Sequence, residues 1–123
     1  MPTLTQDGFA LRIEPTGKFS LLDWDASTCP QEALRTEQVR SVDLTTQLIM
    51  WTDDLAVPLG LSVNVPARHF LYSYQPTPSP VCGAAVFTGS THDGRLLGLT
   101  QDQALVLLDR YISRHRDIPR PRH

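Results

Sequence analysis

The residues best placed to do chemistry are Asp53 and Asp54, adjacent carboxylates close behind Trp51. Two neighbouring carboxylates at a strand end can hold a divalent cation, as in metal-dependent nucleases. Such a site needs further carboxylates or a lysine, and Glu14 and Asp93 are only guesses for that part. The plainer reading is a solvated acidic turn, which Asp favours, so no metal ligand is assigned. Trp51 and Trp24 flank expected strand ends. With Tyr72 and Tyr74 they could offer an aromatic surface for stacking bases or anchoring a partner. Asn64, Arg68 and His69 fall at the start of a short helix, where an anion is favoured; a cap with exposed polar neighbours is the plainer explanation.

The two cysteines, Cys29 and Cys82, are far apart in sequence. They form no CxxC pair, and the histidines miss zinc-ligand spacing. Both read as small, buried or half-buried residues. No P-loop, dinucleotide fingerprint, nucleophile elbow or HExxH is present, so no catalytic residue and no cofactor are assigned.

The 123 residues suit one domain, and 41% apolar content suffices for a core. The expected division is a loose lead-in over 1–7, a single domain over 8–115 and an Arg/Pro-rich tail over 116–123. No basic segment leads into an apolar stretch at the N-terminus, and no apolar run reaches membrane-spanning length, so a cytoplasmic protein without a membrane partner is expected. The net charge of −2 hides an asymmetry. Residues 1–109 hold 12 acids and 6 bases, a net of −6, while residues 110–123 hold five arginines against Asp117, a net of +4. Arg110, Arg114, Arg116, Arg120 and Arg122 could contact nucleic acid; the plainer reading is that Arg110, Arg114 and Arg116 complement the dipole of a last helix, while Arg120 and Arg122 belong to an extended, solvated end.

Alternation over residues 9–14 sets Phe9, Leu11 and Ile13 against Ala10, Arg12 and Glu14, a half-buried strand. A Pro-Thr-Gly-Lys turn returns it as a second strand over 19–24. Pro30 opens a short helix over 31–38, with Ser27 or Thr28 as its cap. Strands are expected over 39–44 and 47–52. Residues 55–63 read as loop, followed by a helix over 67–74 capped by Asn64. The Pro-rich stretch 75–80 is a stiff connector. An apolar strand over 81–88 and a short one over 96–99 flank the Asp93-Gly94 turn. Thr100 and Gln103 form a capping box for a last helix, whose core face is Ala104, Leu105, Leu108, Tyr111 and Ile112. These elements give an α+β fold: a mainly antiparallel sheet of about six strands in hairpins, three helices on one face, and the order ββα-ββα-ββα. Exposed sheet edges leave a homodimer open.

Four features in order resemble the small family called domain of unknown function 3846. They are Ile13-Glu14-Pro15 before a turn; Met50-Trp51 followed by Asp53-Asp54; Asn64 before a Pro-started helix; and Val86-Phe87-Thr88-Gly89 leading through Asp93-Gly94 to Gly98-Leu99-Thr100. The resemblance covers residues 9–109. The chain departs from the family pattern where Val65 separates Asn64 from Pro66. The resemblance implies a setting in actinobacteria, phages and mobile elements, and carries no catalytic mechanism. The expectation is therefore a non-enzymatic accessory protein acting on a host protein through an acidic face. The candidate acids are Asp23, Asp25, Asp43, Asp53 and Asp54, and the candidate contact residues are Trp51, Asp53, Asp54, Asn64 and Arg68. The alternatives are a nucleic-acid-binding accessory protein using the terminal arginines and a small metal-dependent hydrolase on Asp53 and Asp54.

Overall fold

Each face of the central sheet is built by a different set of alternating residues, and each is covered by a different helix layer. The computed structural model describes residues 8–24, 29–76, 80–89, 91–92 and 95–116. Its strands are β1 (Gly8–Ile13), β2 (Phe19–Trp24), β3 (Val39–Thr45), β4 (Leu48–Asp53) and β5 (Ala85–Gly89), followed by the two-residue strands β6 (Thr91–His92) and β7 (Arg95–Leu96). The helices are α1 (Pro30–Leu34), α2 (Val65–Leu71) and α3 (Gln101–Arg116). The expected α+β fold with an antiparallel sheet and three helices is observed. The order across the sheet is β2-β1-β5-β4-β3, with every pair antiparallel. Two hairpins thus flank β5, and all five residues of that strand are buried.

Four details of the expected architecture are corrected. Among the described residues the sheet holds five strands rather than six, and β6 and β7 pair only with each other. The last unit is therefore not a third ββα copy. The strand expected over 81–88 begins at Ala85; Val81 is in irregular chain, and Cys82 makes an isolated bridge to Val63. The strand expected over 96–99 reduces to Leu96 at the end of β7 and a single bridge from Leu99 to Phe9. There the chain crosses at backbone contact: a Cβ on Gly98 would stand 2.9 Å from the Gly8 Cα.

The helices also lie on both faces rather than one. Leu11, Ile13, Met50 and Phe87 pack against Ala67, Phe70, Leu107 and Tyr111 of α2 and α3. On the other face, Ala10, Trp24 and Val86 pack with Ala33 of α1. Burial of Ala10 as well as Leu11 follows from this second cover. Arg12 fixes it, donating from Nη1 to the Ala33 carbonyl at 3.0 Å. A guanidinium there also complements the C-terminal end of the short helix. That helix stops early because Arg35 turns left-handed at φ 57° and its N–H bonds back to Glu32 O.

In α3 the capping box closes reciprocally: Thr100 N–H donates to Gln103 Oε1 at 2.9 Å and Gln103 N–H to Thr100 Oγ1 at 3.1 Å. The buried stripe is Ala104, Leu107 and Tyr111, whereas Leu105, expected in the core, is half exposed.

Candidate interaction surface

The residues singled out by sequence divide into those that build one surface and those that present it. β4 carries Trp51 and Asp53 on the face covered by α1. Trp51 is half-buried, and its indole N–H donates to Thr88 Oγ1 at 2.9 Å. The Thr88 hydroxyl donates onward to Gly89 O at 3.0 Å. Trp51 thus braces β4 against β5. The four aromatics do not form one surface: Trp24 is buried beside Trp51 on the α1 face, and Tyr74 packs on the opposite side with Phe70.

Asp53 ends β4 and organises the turn after it. Its Oδ1 accepts from Leu55 N–H at 2.9 Å and from Thr36 Oγ1 at 3.4 Å. This is an Asx turn, a local use of the carboxylate. Asp54 is exposed, while its N–H donates to Gln38 O at 2.8 Å and extends the β3–β4 pairing. Among the described residues no group of three His, Cys, Asp or Glu side chains is gathered that could hold a metal ion. Cys29 and Cys82 are both free and half-buried.

Residues 55–64 then form a loop with its own hydrogen-bond frame. Leu59 N–H bonds to Leu55 O at 2.9 Å, Leu61 N–H to Ala56 O at 3.0 Å, and Gly83 N–H to Ser62 O at 2.8 Å. Gly60 takes φ 69°, a left-handed turn suited to glycine. Ala56 alone of the loop's apolar side chains points into the core. Leu55, Val57, Leu59, Leu61, Val63 and the adjoining Val65 are exposed by 40–73%. Spacing could not reveal this, because an apolar loop looks the same in sequence whether it is covered or not.

Asn64 closes the loop and is itself 0% exposed. Its Nδ2 donates to Ile13 O and Gly83 O, each at 2.9 Å, and its Oδ1 accepts from Ala67 N–H at 3.0 Å. The expected cap of α2 is thus present, but every polar atom of the side chain is spent internally. Asn64 offers nothing to a partner. Arg68, one turn into α2, is exposed.

Compared with known proteins, the chain matches no family model, no curated protein and no solved structure.

The remaining acids are dispersed. Asp23 sits on β2 and Asp43 on β3, at opposite edges of the sheet, and Asp25 lies outside the described residues. Among the described candidate acids only Asp53 and Asp54 are neighbours. Beside them a cavity of about 190 Å³ is walled by Arg40, Thr52, Ala56, Gln75 and Cys82 among others. A second, more open cavity of about 320 Å³ lies against α3, between Leu48, Tyr74, Val106 and Arg110. There the Arg110 guanidinium sits 5.3 Å from the centre of the Tyr74 ring, a cation–π contact. Arg114 and Arg116 belong to the last turn of α3. Arg120 and Arg122 lie outside the described residues. Among the described residues no helix is long and apolar enough to cross a membrane.

Proposed function

We propose that this chain is a cytoplasmic, non-enzymatic binding protein that docks on a partner protein through residues 54–65 and the exposed start of α2. One observation carries the reading: a loop framed by hydrogen bonds displays five large apolar side chains, and Val65 at the start of α2 adds a sixth. Keeping apolar area in water forgoes about 25 cal/mol per Å². Exposed apolar groups gathered on one short segment and flanked by charge have the composition of a protein interface. Asp54 and Arg68 supply the rim, at the two ends of the loop. Of the other candidate residues, Asp53 shapes the loop, Trp51 braces the strand that delivers it, and Asn64 anchors its end. The acidic contribution to binding therefore reduces to Asp54 with its immediate surroundings. The resemblance to the domain of unknown function 3846 proteins supplies the setting, a host protein met by a phage or mobile-element product.

The test is capture from a nuclease-treated host lysate by the native protein and by the double variant Val57→Asp, Leu59→Asp. Both positions are exposed, so the variant is expected to keep its melting temperature and lose the captured protein. Equal capture by both would overturn the reading, as would a native capture that nuclease removes.

A further inference from the structure

The two edges of the sheet differ in a way that bears on self-association. The β3 edge is protected: its register breaks between Asp43 and Thr45, and it exposes Arg40 and Asp43 along its length. A bulge and mid-strand charges are standard obstacles to edge pairing. The β2 edge has no bulge, and its one charged residue, the exposed Asp23, stands near the end of the strand rather than at its middle. All six of its residues are in unbroken register with β1.

The hairpin geometry shows which backbone groups of β2 are unused. Glu14 N–H donates to Lys18 O at 2.9 Å, which makes that facing pair hydrogen-bonded. Antiparallel pairs alternate, so Ser20, Leu22 and Trp24 also direct their N–H and C=O groups to β1. Phe19, Leu21 and Asp23 direct theirs outward. Among the described residues no strand pairs with that edge. Phe19 and Leu21 are also more than a third exposed on the α3 side of the sheet. Phe19 is held in place by an edge-on contact with Tyr111, with ring centres 5.3 Å apart.

We propose that the β2 edge pairs antiparallel with β2 of a second copy, joining two sheets about a two-fold axis through Leu21. That register satisfies the outward groups of Phe19, Leu21 and Asp23 in both copies, because Leu21 faces Leu21 and Phe19 faces Asp23. A two-fold axis through Leu22 would run the pairing beyond the end of β2. An axis through Ser20 would run it back into the Gly17 turn. The chosen register also brings both exposed leucines together, with each Phe19 on the diagonal, within reach of an aromatic ring. A closed two-fold pairing uses up the edge in both copies and ends assembly at the dimer. The dimer surface is distinct from the 54–65 loop and does not depend on it.

The experiment is sedimentation equilibrium of the full chain over a concentration series reaching roughly 300 μM, since a strand-only contact gives modest affinity. The native protein is expected at twice the chain mass of 13.7 kDa. Leu21→Lys and Leu21→Glu, each placing like charges face to face, are expected to halve that mass. Mixing the two variants is expected to restore the dimer, because lysine then faces glutamate. Circular dichroism and melting temperature check that each variant is folded, and Ser41→Lys on β3 is the matched edge control. A native protein that stays monomeric throughout overturns the proposal. So does a Leu21→Lys protein that remains dimeric, or a mixture that remains monomeric.

Discussion

Asn64 and Ile13, 51 positions apart, are joined by a 2.9 Å hydrogen bond from the buried Asn64 amide to the last carbonyl of β1. The same amide holds Gly83, and its oxygen caps α2. One side chain thus ties the first strand, the chain before β5 and the end of the exposed loop. Asn64→Ala would strip a cap and leave two buried carbonyls short of a donor. The expected loss is about 3 kcal/mol, from a cap of about 1 and unsatisfied buried groups of about 1 or more each. Asn64→Asp keeps the cap acceptor but turns a buried carboxylate oxygen toward the two carbonyls, so it is expected to cost at least as much as Asn64→Ala. Urea unfolding of the three proteins measures both.

A second long connection runs from α3 to the first turn: the Tyr111 hydroxyl donates to Gly17 O at 2.8 Å. Burial raises the Tyr111 pKa from 10.0 to about 12. The folded chain therefore keeps a proton that the unfolded chain releases at lower pH. Its contribution to stability is full below pH 10 and falls as pH rises from 10 towards 12. Tyr111→Phe should cost about 1 kcal/mol at neutral pH, for the lost hydrogen bond. Its stability should then fall less steeply above pH 10 than that of the native chain. Parallel slopes for the two proteins over pH 10–12 would contradict the assignment.

These two ties show where sequence was informative and where it was not. The Asn64 cap and the Thr100–Gln103 box were legible because capping is local chemistry. The α+β class was legible because alternation and turn residues are local too. The second face of the sheet was not. Ala10 looks like a surface partner of Arg12 until α1 covers it, and only tertiary placement reveals that. Leu105 fits the helical period as well as Leu107 does, so periodicity alone did not choose the stripe that faces β1. The candidate site behaved likewise. Asp53 and Asp54 are equal neighbours in sequence, yet the Asx turn commits one and leaves the other free.

That inequality is testable. Asp53→Ala removes the acceptor for Leu55 N–H and is expected to lower stability by about 1 kcal/mol, with loosening of the 55–64 loop. Asp54→Ala removes an exposed charge and should change stability by less than about 0.5 kcal/mol. Partner capture should fall in both, but only Asp53→Ala should also lower the melting temperature. Hydrogen exchange at Leu55, Leu59 and Leu61 separates the two effects, because only the Asp53 change should speed it.

The crossing of Gly98 over Gly8 gives the last expectation. A Cβ on Gly98 would meet the Gly8 Cα at 2.9 Å, the Phe9 N at 3.0 Å and the Trp24 Cβ at 3.0 Å. Two of these atoms are backbone of β1, which β2 holds in register at Gly8 and Phe9. The third belongs to the buried Trp24. The 97–99 segment must then lift away, breaking the paired bonds between Phe9 and Leu99, at 2.8 and 2.7 Å. Gly98→Ala is expected to cost about 2–3 kcal/mol, in the range of overpacking a tight core. Gly60→Ala is the contrasting case. No atom lies within 4 Å of a Cβ there, so the cost is only that of the left-handed φ of 69°, about 1 kcal/mol. Equal losses in the two variants would show that backbone conformation, rather than contact at the crossing, sets the requirement for glycine at position 98.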